Sequence, residues 1–358
     1  MANTLKSKLV AQVFRAAVLP GVAIAALSFM ATVCSVAAQP SGDFYAGKTI
    51  KIVIGTTVGG EYDLYARLVA SHIGRFIPGN PNVLVQSMPD AGGLTAIRYL
   101  ANVAPRDGTV LIVPQVNIIQ EGMLTSNAQY DPGSFQWIGR MISQIQVGLV
   151  SSKSGVTSIE GAKSKELIAG GYGNNPTTLN PRLLNRLIGT KFRIVAGYRG
   201  TGDVMLAWER GEVDVVTTSW DVLLARYSEQ VKAKLAIPLY VNAVKRPSDL
   251  PDVPLMTEFG QTDGDKAFLE IYSVGAAIGR SLAAPPGVPH DRIEVWRAAF
   301  TKMLGDEGFK ESVHSGNLRL DPLDGAAMTS SVQKVVSLPP ETVGKARKFY
   351  EELLAQAN

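Results

Sequence analysis

The chain has 358 residues, 35 Lys and Arg against 31 Asp and Glu, and one cysteine. That length is enough for two domains with well-buried cores, and a single thiol excludes a disulfide-built scaffold. The formal charge of +4 overstates the basicity, because Lys6, Lys8 and Arg15 are the only charged residues among the first 38. The rest of the chain is near neutral, which gives no reason to expect nucleic acid or an acidic membrane as a partner.

Residues 1–38 read as a secretory signal peptide: a basic n-region, an uncharged Ala-, Val- and Leu-rich stretch over 16–38, and small residues at Val36-Ala37-Ala38 for cleavage. The uncharged stretch is long enough for an anchor helix, but Pro20-Gly21 in its middle and its small-residue end favour cleavage. The expected location is the periplasm. Cys34 leaves with the leader, so the mature chain carries no thiol chemistry.

The mature chain opens at Phe44-Tyr45-Ala46-Gly47-Lys48. Ile50, Ile52, Val53 and Ile54 form a β-branched run that predicts a buried strand. Gly55, Thr56, Thr57, Val58, Gly59 and Gly60 break it, and from about Tyr62 the apolar spacing becomes helical, ending near Ile77-Pro78. Strand 83–85, the Gly-rich turn from Ser87 to Gly93, helix 94–102 and strand 109–113 repeat the device. Residues 120–134 read as polar turns, and 136–150 as mixed extended chain. The pattern then restarts: strand 167–169, loop 170–176, helix 177–188 capped by Thr177 or Thr178, strand 192–196, loop 197–202, helix 203–210 stopped by Gly211, strand 213–218 and the segment Ser219-Trp220-Asp221. Strand 235–241 and a proline-braced loop over 248–254 come next. Residues 271–277 read as an extended return to the first domain, 285–289 as a rigid connector, Asp291 as a helix cap, and 342–355 as a last helix.

Four loops therefore link a strand to a helix N-terminus, two in each half. Such ends offer unpaired N–H groups and partial positive charge, which suits a carboxylate or phosphate. In open α/β sheets ligands sit at the carboxyl ends of strands, so two α/β domains facing each other across a cleft are the simplest arrangement. The expected domains are 43–146 with 277–358, and 147–276. The candidate ligand residues are Thr56, Thr57, Gly59, Gly60, Tyr62 and Asp63 in the first loop, and Ala91, Gly92 and Gly93 in the second. The third loop offers Tyr172, Asn174 and Asn175, the fourth Arg199, Gly200 and Thr201, and Trp220 follows the next strand. Hydroxyls and amides supply donors. Arg199 can pair with a carboxylate or brace a hinge through Asp203 or Asp221. Asp63 either contacts ligand or caps its own helix, and Trp220 either stacks on an aromatic ligand or covers the cleft wall.

The strings KIVIGTTVGGEYDLYARL, VQSMPDAGG, GYRGTGDVMLAWERGEVD, RPSDLPDVPLMTEFG and APPGVPHDRIEVWRAAF, in this order, resemble the Bug-type substrate-binding proteins of tripartite tricarboxylate transporters over nearly the whole mature chain. The resemblance implies an α/β, two-domain periplasmic-binding-protein fold (Venus-flytrap, type II-like) that closes on a small carboxylate held by loop amides. It also implies delivery to an inner-membrane permease with one large and one small subunit. A monomer is expected, with no cofactor and no metal. Two positions depart from the family pattern: Glu61 follows Gly59-Gly60 where a third glycine is usual, and Asp90 replaces a frequent glycine. Glu61 is expected to face solvent or cap its own helix; otherwise the ligand offers it a donor. Both changes count against a plain dicarboxylate.

Enzyme readings find little support. His72, His290 and His314 are far apart with no metal-binding spacing, and no GxSxG elbow occurs. A secreted hydrolase is the alternative from another class, and a ligand sensor that signals to a membrane receptor is the alternative output.

Overall fold

The computed structural model describes residues 44–56, 58–89, 93–172, 175–198, 200–316 and 318–355. The leader reading therefore lies outside the described residues. Residues 40–358 form one compact unit.

The first third of the chain runs β1 (Thr49–Ile54), α1 (Glu61–Ile73), β2 (Asn82–Ser87), α2 (Leu94–Asn102), β3 (Val110–Val113), α3 (Ile118–Leu124) and β4 (Gln136–Ile142). The middle runs β5 (Gln146–Ser151), α4 (Gly161–Ser164), β6 (Leu167–Gly171), α5 (Pro176–Ile188), β7 (Phe192–Ala196), α6 (Thr201–Arg210), β8 (Val215–Ser219), α7 (Trp220–Arg226), α8 (Ser228–Lys232) and β9 (Ala236–Asn242). The chain ends with α9 (Asp263–Ile278), β10 (Arg280–Ala284), α10 (His290–Gly305), α11 (Glu307–Ser315), β11 (Leu323–Asp324), α12 (Gly325–Val336) and α13 (Pro340–Ala355).

Among the described residues the strands form two sheets, β11-β4-β10-β3-β1-β2 and β7-β6-β8-β5-β9. In the first, β1, β2 and β3 are parallel and β10 inserts antiparallel between β3 and β4. In the second, β6, β7 and β8 are parallel, and β5 runs antiparallel to both β8 and β9. The first sheet thus takes β1 to β4 with the late strands β10 and β11, and the second takes β5 to β9.

The core explains why the runs are so apolar. Ile50, Ile52 and Ile54 pack beneath α1 and α10 with Trp296 and Phe300, while Val53 faces the other layer. A second apolar cluster extends from the first sheet through Phe268, Tyr272, Phe349 and Tyr350 to Leu179, Leu183 and Leu184 of α5. Helices α9 and α13 therefore join the two sheets along one side by continuous hydrophobic contact.

Several local readings are corrected. Residues 271–277 are helical, the last turns of α9, and α9 lies between α13, α3 and α12. Ile118–Leu124 is a helix within the stretch read as turns. The cap of α5 is Asn175, whose Oδ1 accepts from Thr177 N at 2.9 Å, not Thr177 or Thr178. Helix α10 begins at His290, behind Pro289, with no side-chain cap, so Asp291 already lies inside its first turn. Gly211 stops α6 in left-handed conformation as expected.

Candidate functional site

The carboxyl ends of β1 and β2 and those of β6, β7 and β8 carry the segments singled out in the sequence. Between the sheets runs the short crossover from Ile142 to Gln146. Gln144 N donates to Ala276 O of α9 at 2.8 Å, and Trp220 N donates to Ile145 O at 2.9 Å, which ties the crossover to both layers. Gln146, Ser219 and Asn242 sit opposite one another at the matching ends of β5, β8 and β9. Arg280 pairs with Ile142 at the facing end of the first sheet.

On the first wall, the loops after β1 and β2 touch through glycine. Gly93, the N-cap of α2, has φ +87°, and a Cβ there would lie 2.8 Å from Gln115 Cδ. Gln115 itself donates to Gly55 O at 2.8 Å, and a Cβ on Gly55 would lie 2.7 Å from Gly93 Cα. Close backbone approach therefore requires both glycines. Thr56 O accepts from Ser87 Oγ at 2.6 Å. Gly60 is the N-cap of α1, in extended conformation. Asp63 is buried and accepts from Gly59 N and Arg67 Nε, both at 2.9 Å. The Arg67 hydrogen bond holds its carboxyl below the usual range. The bond from Gly59 N braces the loop, and the bond from Arg67 is an i,i+4 contact within α1.

Tyr62 Oη accepts from Val116 N at 3.2 Å, and the Arg280 guanidinium lies 3.8 Å over its ring. Arg280 is not among the residues singled out in the sequence. Its side chain is only 3 % exposed, and it donates to Glu61 Oε2 at 2.5 Å and to Gln144 Oε1 at 3.1 Å. Glu61 is thus corrected from a solvent-facing residue or helix cap to the counter-ion of a buried arginine; its own side chain is 28 % exposed.

On the second wall, Tyr172 Oη and Thr201 Oγ1 are 3.1 Å apart, which links the third and fourth loops. Asn175 Nδ2 donates to Tyr172 O at 2.8 Å, so this amide shapes the loop at both of its ends. Gly200 is the extended N-cap of α6. Trp220 is packed among Val147, Leu149 and Leu223, and its indole N–H donates to Asp249 Oδ2 at 3.3 Å. Tyr172 is within electrostatic reach of Tyr62 on the first wall. Thr57, Asp90, Ala91, Gly92, Asn174 and Arg199 lie outside the described residues.

A second ion pair, also without a signal in the sequence, crosses between the layers: Arg319 Nη1 donates to Asp221 Oδ1 at 2.6 Å. Burial pushes the Asp221 carboxyl up, while Arg319 draws it down. Arg199, read as a partner of a ligand carboxylate, Asp203 or Asp221, lies outside the described residues, and the described partner of Asp221 is Arg319.

Four buried polar atoms at these strand ends have no partner among the described residues: Thr56 Oγ1, Arg280 Nε, Gln146 Oε1 and Ser219 Oγ. Unmet buried groups are costly and rare in native proteins, and a cluster at opposed loop ends is what a solute with donors and acceptors would satisfy. A slot that Gln146 shares is lined by Asn117, Gln120, Gln144, Asn175 and Asn242 with Tyr272. The described residues contain no group of His, Cys, Asp and Glu able to hold a metal, and no helix long and apolar enough to cross a membrane. The arrangement offers a solute unmet hydrogen-bonding groups.

Comparison with known proteins bears on this geometry. A Cupriavidus necator protein described as a UPF0065 protein in the gbd 5' region is 26 % identical over 93 % of this chain and 96 % of its own length. An Agrobacterium vitis UPF0065 protein is 27 % identical, over 62 % of this chain and 64 % of that protein. The structure of a TctC solute-binding protein from Polaromonas superposes with TM-score 0.60 at 19 % identity, over 85 % of this chain and 99 % of the other. An R. palustris protein with adipate superposes with TM-score 0.59 at 18 % identity, over 84 % and 97 %. These likenesses give the fold, the two-domain architecture of periplasmic binding proteins. The model of the tripartite tricarboxylate transporter family receptor, TctC, matches residues 66–352, and the chain belongs to that family.

Proposed function

We propose that this receptor captures a small organic carboxylate between its two sheets and hands it to a tripartite permease with one large and one small membrane subunit. The observation that carries the reading is the cluster of unpartnered buried polar atoms, Thr56 Oγ1, Arg280 Nε, Gln146 Oε1 and Ser219 Oγ, at the opposed strand ends. The adipate in the R. palustris neighbour adds support for a carboxylate. On this reading the lobes are 43–146 with 277–358, and 147–276, α9 lies along their join, and the protein works as a periplasmic monomer exported by the leader 1–38. The joined side formed by α5, α9 and α13 stays packed. The side spanned by Arg319 and Asp221 opens and closes, so that this ion pair forms as the lobes meet.

The ligand contacts on this reading are Thr56, Thr57, Gly59, Gly60 and Tyr62 with Ala91, Gly92 and Gly93 from one lobe, and Tyr172, Asn174, Asn175, Arg199, Gly200 and Thr201 from the other. Asp63 and Trp220 hold the loops that present them. Thermal unfolding of the mature protein against a panel of small carboxylates tests the function. A true ligand at 100-fold over its dissociation constant should add about 2.7 kcal/mol, which is roughly 4 °C in the midpoint for a protein of this size. A flat response to every carboxylate would refute the reading.

A further inference from the structure

We infer that Glu61 sets the charge of the accepted solute, and that the site takes a carboxylate of single net negative charge, its far end an amide or hydroxyl, in preference to a dianion. This selectivity rests on the carboxylate-binding function proposed above.

The described charges at the cleft are already matched. Arg280 is paired with Glu61, and Arg319 with Asp221. The four act in one field: Asp221 interacts electrostatically with Glu61, Arg280 and Arg319, and Tyr65 beside them interacts with Glu61, Asp221 and Arg280. Arg280 would be the natural anchor for a carboxylate, but Glu61 holds its Nη2, Gln144 holds Nη1, and only Nε is left without a partner. The Nε hydrogen and the second Nη2 hydrogen are the donors left on this neutralised guanidinium, enough for one carboxylate group. Glu61 also occupies the first position of α1, where the helix dipole would otherwise attract a second anion.

The slot, which Arg280 meets through Gln144, is lined by no formal charge. Its polar lining is the carboxamides of Asn117, Gln120, Gln144, Asn175, Gln146 and Asn242 with the Tyr272 hydroxyl, and Gln120 and Asn242 are more than nine-tenths buried. Carboxamides both donate and accept, so they complement an amide or a hydroxyl equally well. A second carboxylate there would be desolvated without a counter-charge.

The test compares each dicarboxylate with its own monoamide: succinate with succinamate, glutarate with glutaramate, adipate with adipamate. Affinities are read by calorimetry on the mature protein at pH 7.5. For the pairs that bind, the monoamide should bind at least tenfold more tightly than the parent dianion. Glu61→Gln, which keeps a hydrogen-bonding group for Arg280, should shift that ratio at least tenfold towards the dianion. A dianion that binds wild-type protein as tightly as its monoamide overturns the inference while leaving carboxylate capture intact. So does a folded Glu61→Gln variant whose ratio is unchanged. Silence from every acid in the series overturns carboxylate capture itself, and this inference with it. Should Glu61→Gln fail to fold, the wild-type ratio alone decides.

Discussion

Arg280→Ala should destabilise the protein by about 3 kcal/mol or more, the range found when one partner of a buried ion pair is removed. The guanidinium is nearly inaccessible, and it is engaged by Glu61, by Gln144 and by the Tyr62 ring. Burial opposes its charge, yet Glu61 and Tyr62 more than offset that, and its pKa ends above the ordinary value. Without it the Glu61 carboxylate remains partly buried with no counter-ion, Tyr62 loses the cation on its face, and Gln144 in the crossover loses a donor. Urea denaturation followed by far-UV circular dichroism measures the loss. The double variant Arg280→Met with Glu61→Gln should recover at least half of it, because no unpaired charge is left behind. A single variant within about 1 kcal/mol of wild type would show that the pair is dispensable; exposed ion pairs are commonly worth no more than that.

Gly279→Ala should be equally damaging for a different reason. Gly279 ends α9 at φ +50° and ψ −123°, a conformation that an L side chain adopts only under strain. A Cβ there would lie 2.0 Å from Ile142 O and 2.8 Å from Ser143 Cα. Both are backbone atoms of the crossover, so no side chain can swing aside. Strain and overpacking each cost about 1–3 kcal/mol, so a loss of roughly 3–5 kcal/mol is expected. Gly189→Ala is the matched control: its φ is +71°, but nothing lies within 4 Å of the added methyl. It should cost only about 1–2 kcal/mol, the strain of a left-handed residue. Equal losses at the two sites would mean that contact with the crossover does not matter.

Where the sequence is legible, local chemistry decides the outcome. Strand β7 and helix α2 fall on the residues expected, because glycine-rich turns bound them and their apolar period is clean. Helix α9 escapes the sequence reading because it is buried on almost every side. From Ala267 to Ile278 nearly all of its residues are covered, by α13, α3 and α12, which erases the polar stripe that marks a surface helix. The run from Ile271 to Ala277 then looks like a buried strand, and periodicity alone cannot separate the two. The loops of the site are legible from their glycines. Arg280 is not, because its place in the cleft depends on β10 inserting antiparallel between β3 and β4, a pairing that no local pattern announces. The role of Glu61 is hidden for the same reason: its partner lies 219 residues away. Asn175 and the α5 cap show the smaller version of this limit, where Asn175, Thr177 and Thr178 can each cap and geometry selects one.

Capture between the two sheets is decided by where a carboxylate binds. The most direct measurement is a backbone amide NMR titration of the isotopically labelled mature protein with the strongest hit from the thermal panel. Saturable shifts should appear in the loops after β1, β2 and β3, at Gly55, Gly60, Glu61, Gly93 and Val116. They should appear equally across the cleft at Tyr172, Asn175, Gly200 and Thr201, and at Arg280. Shifts that saturate on another face, with these amides unmoved, would contradict capture between the two sheets.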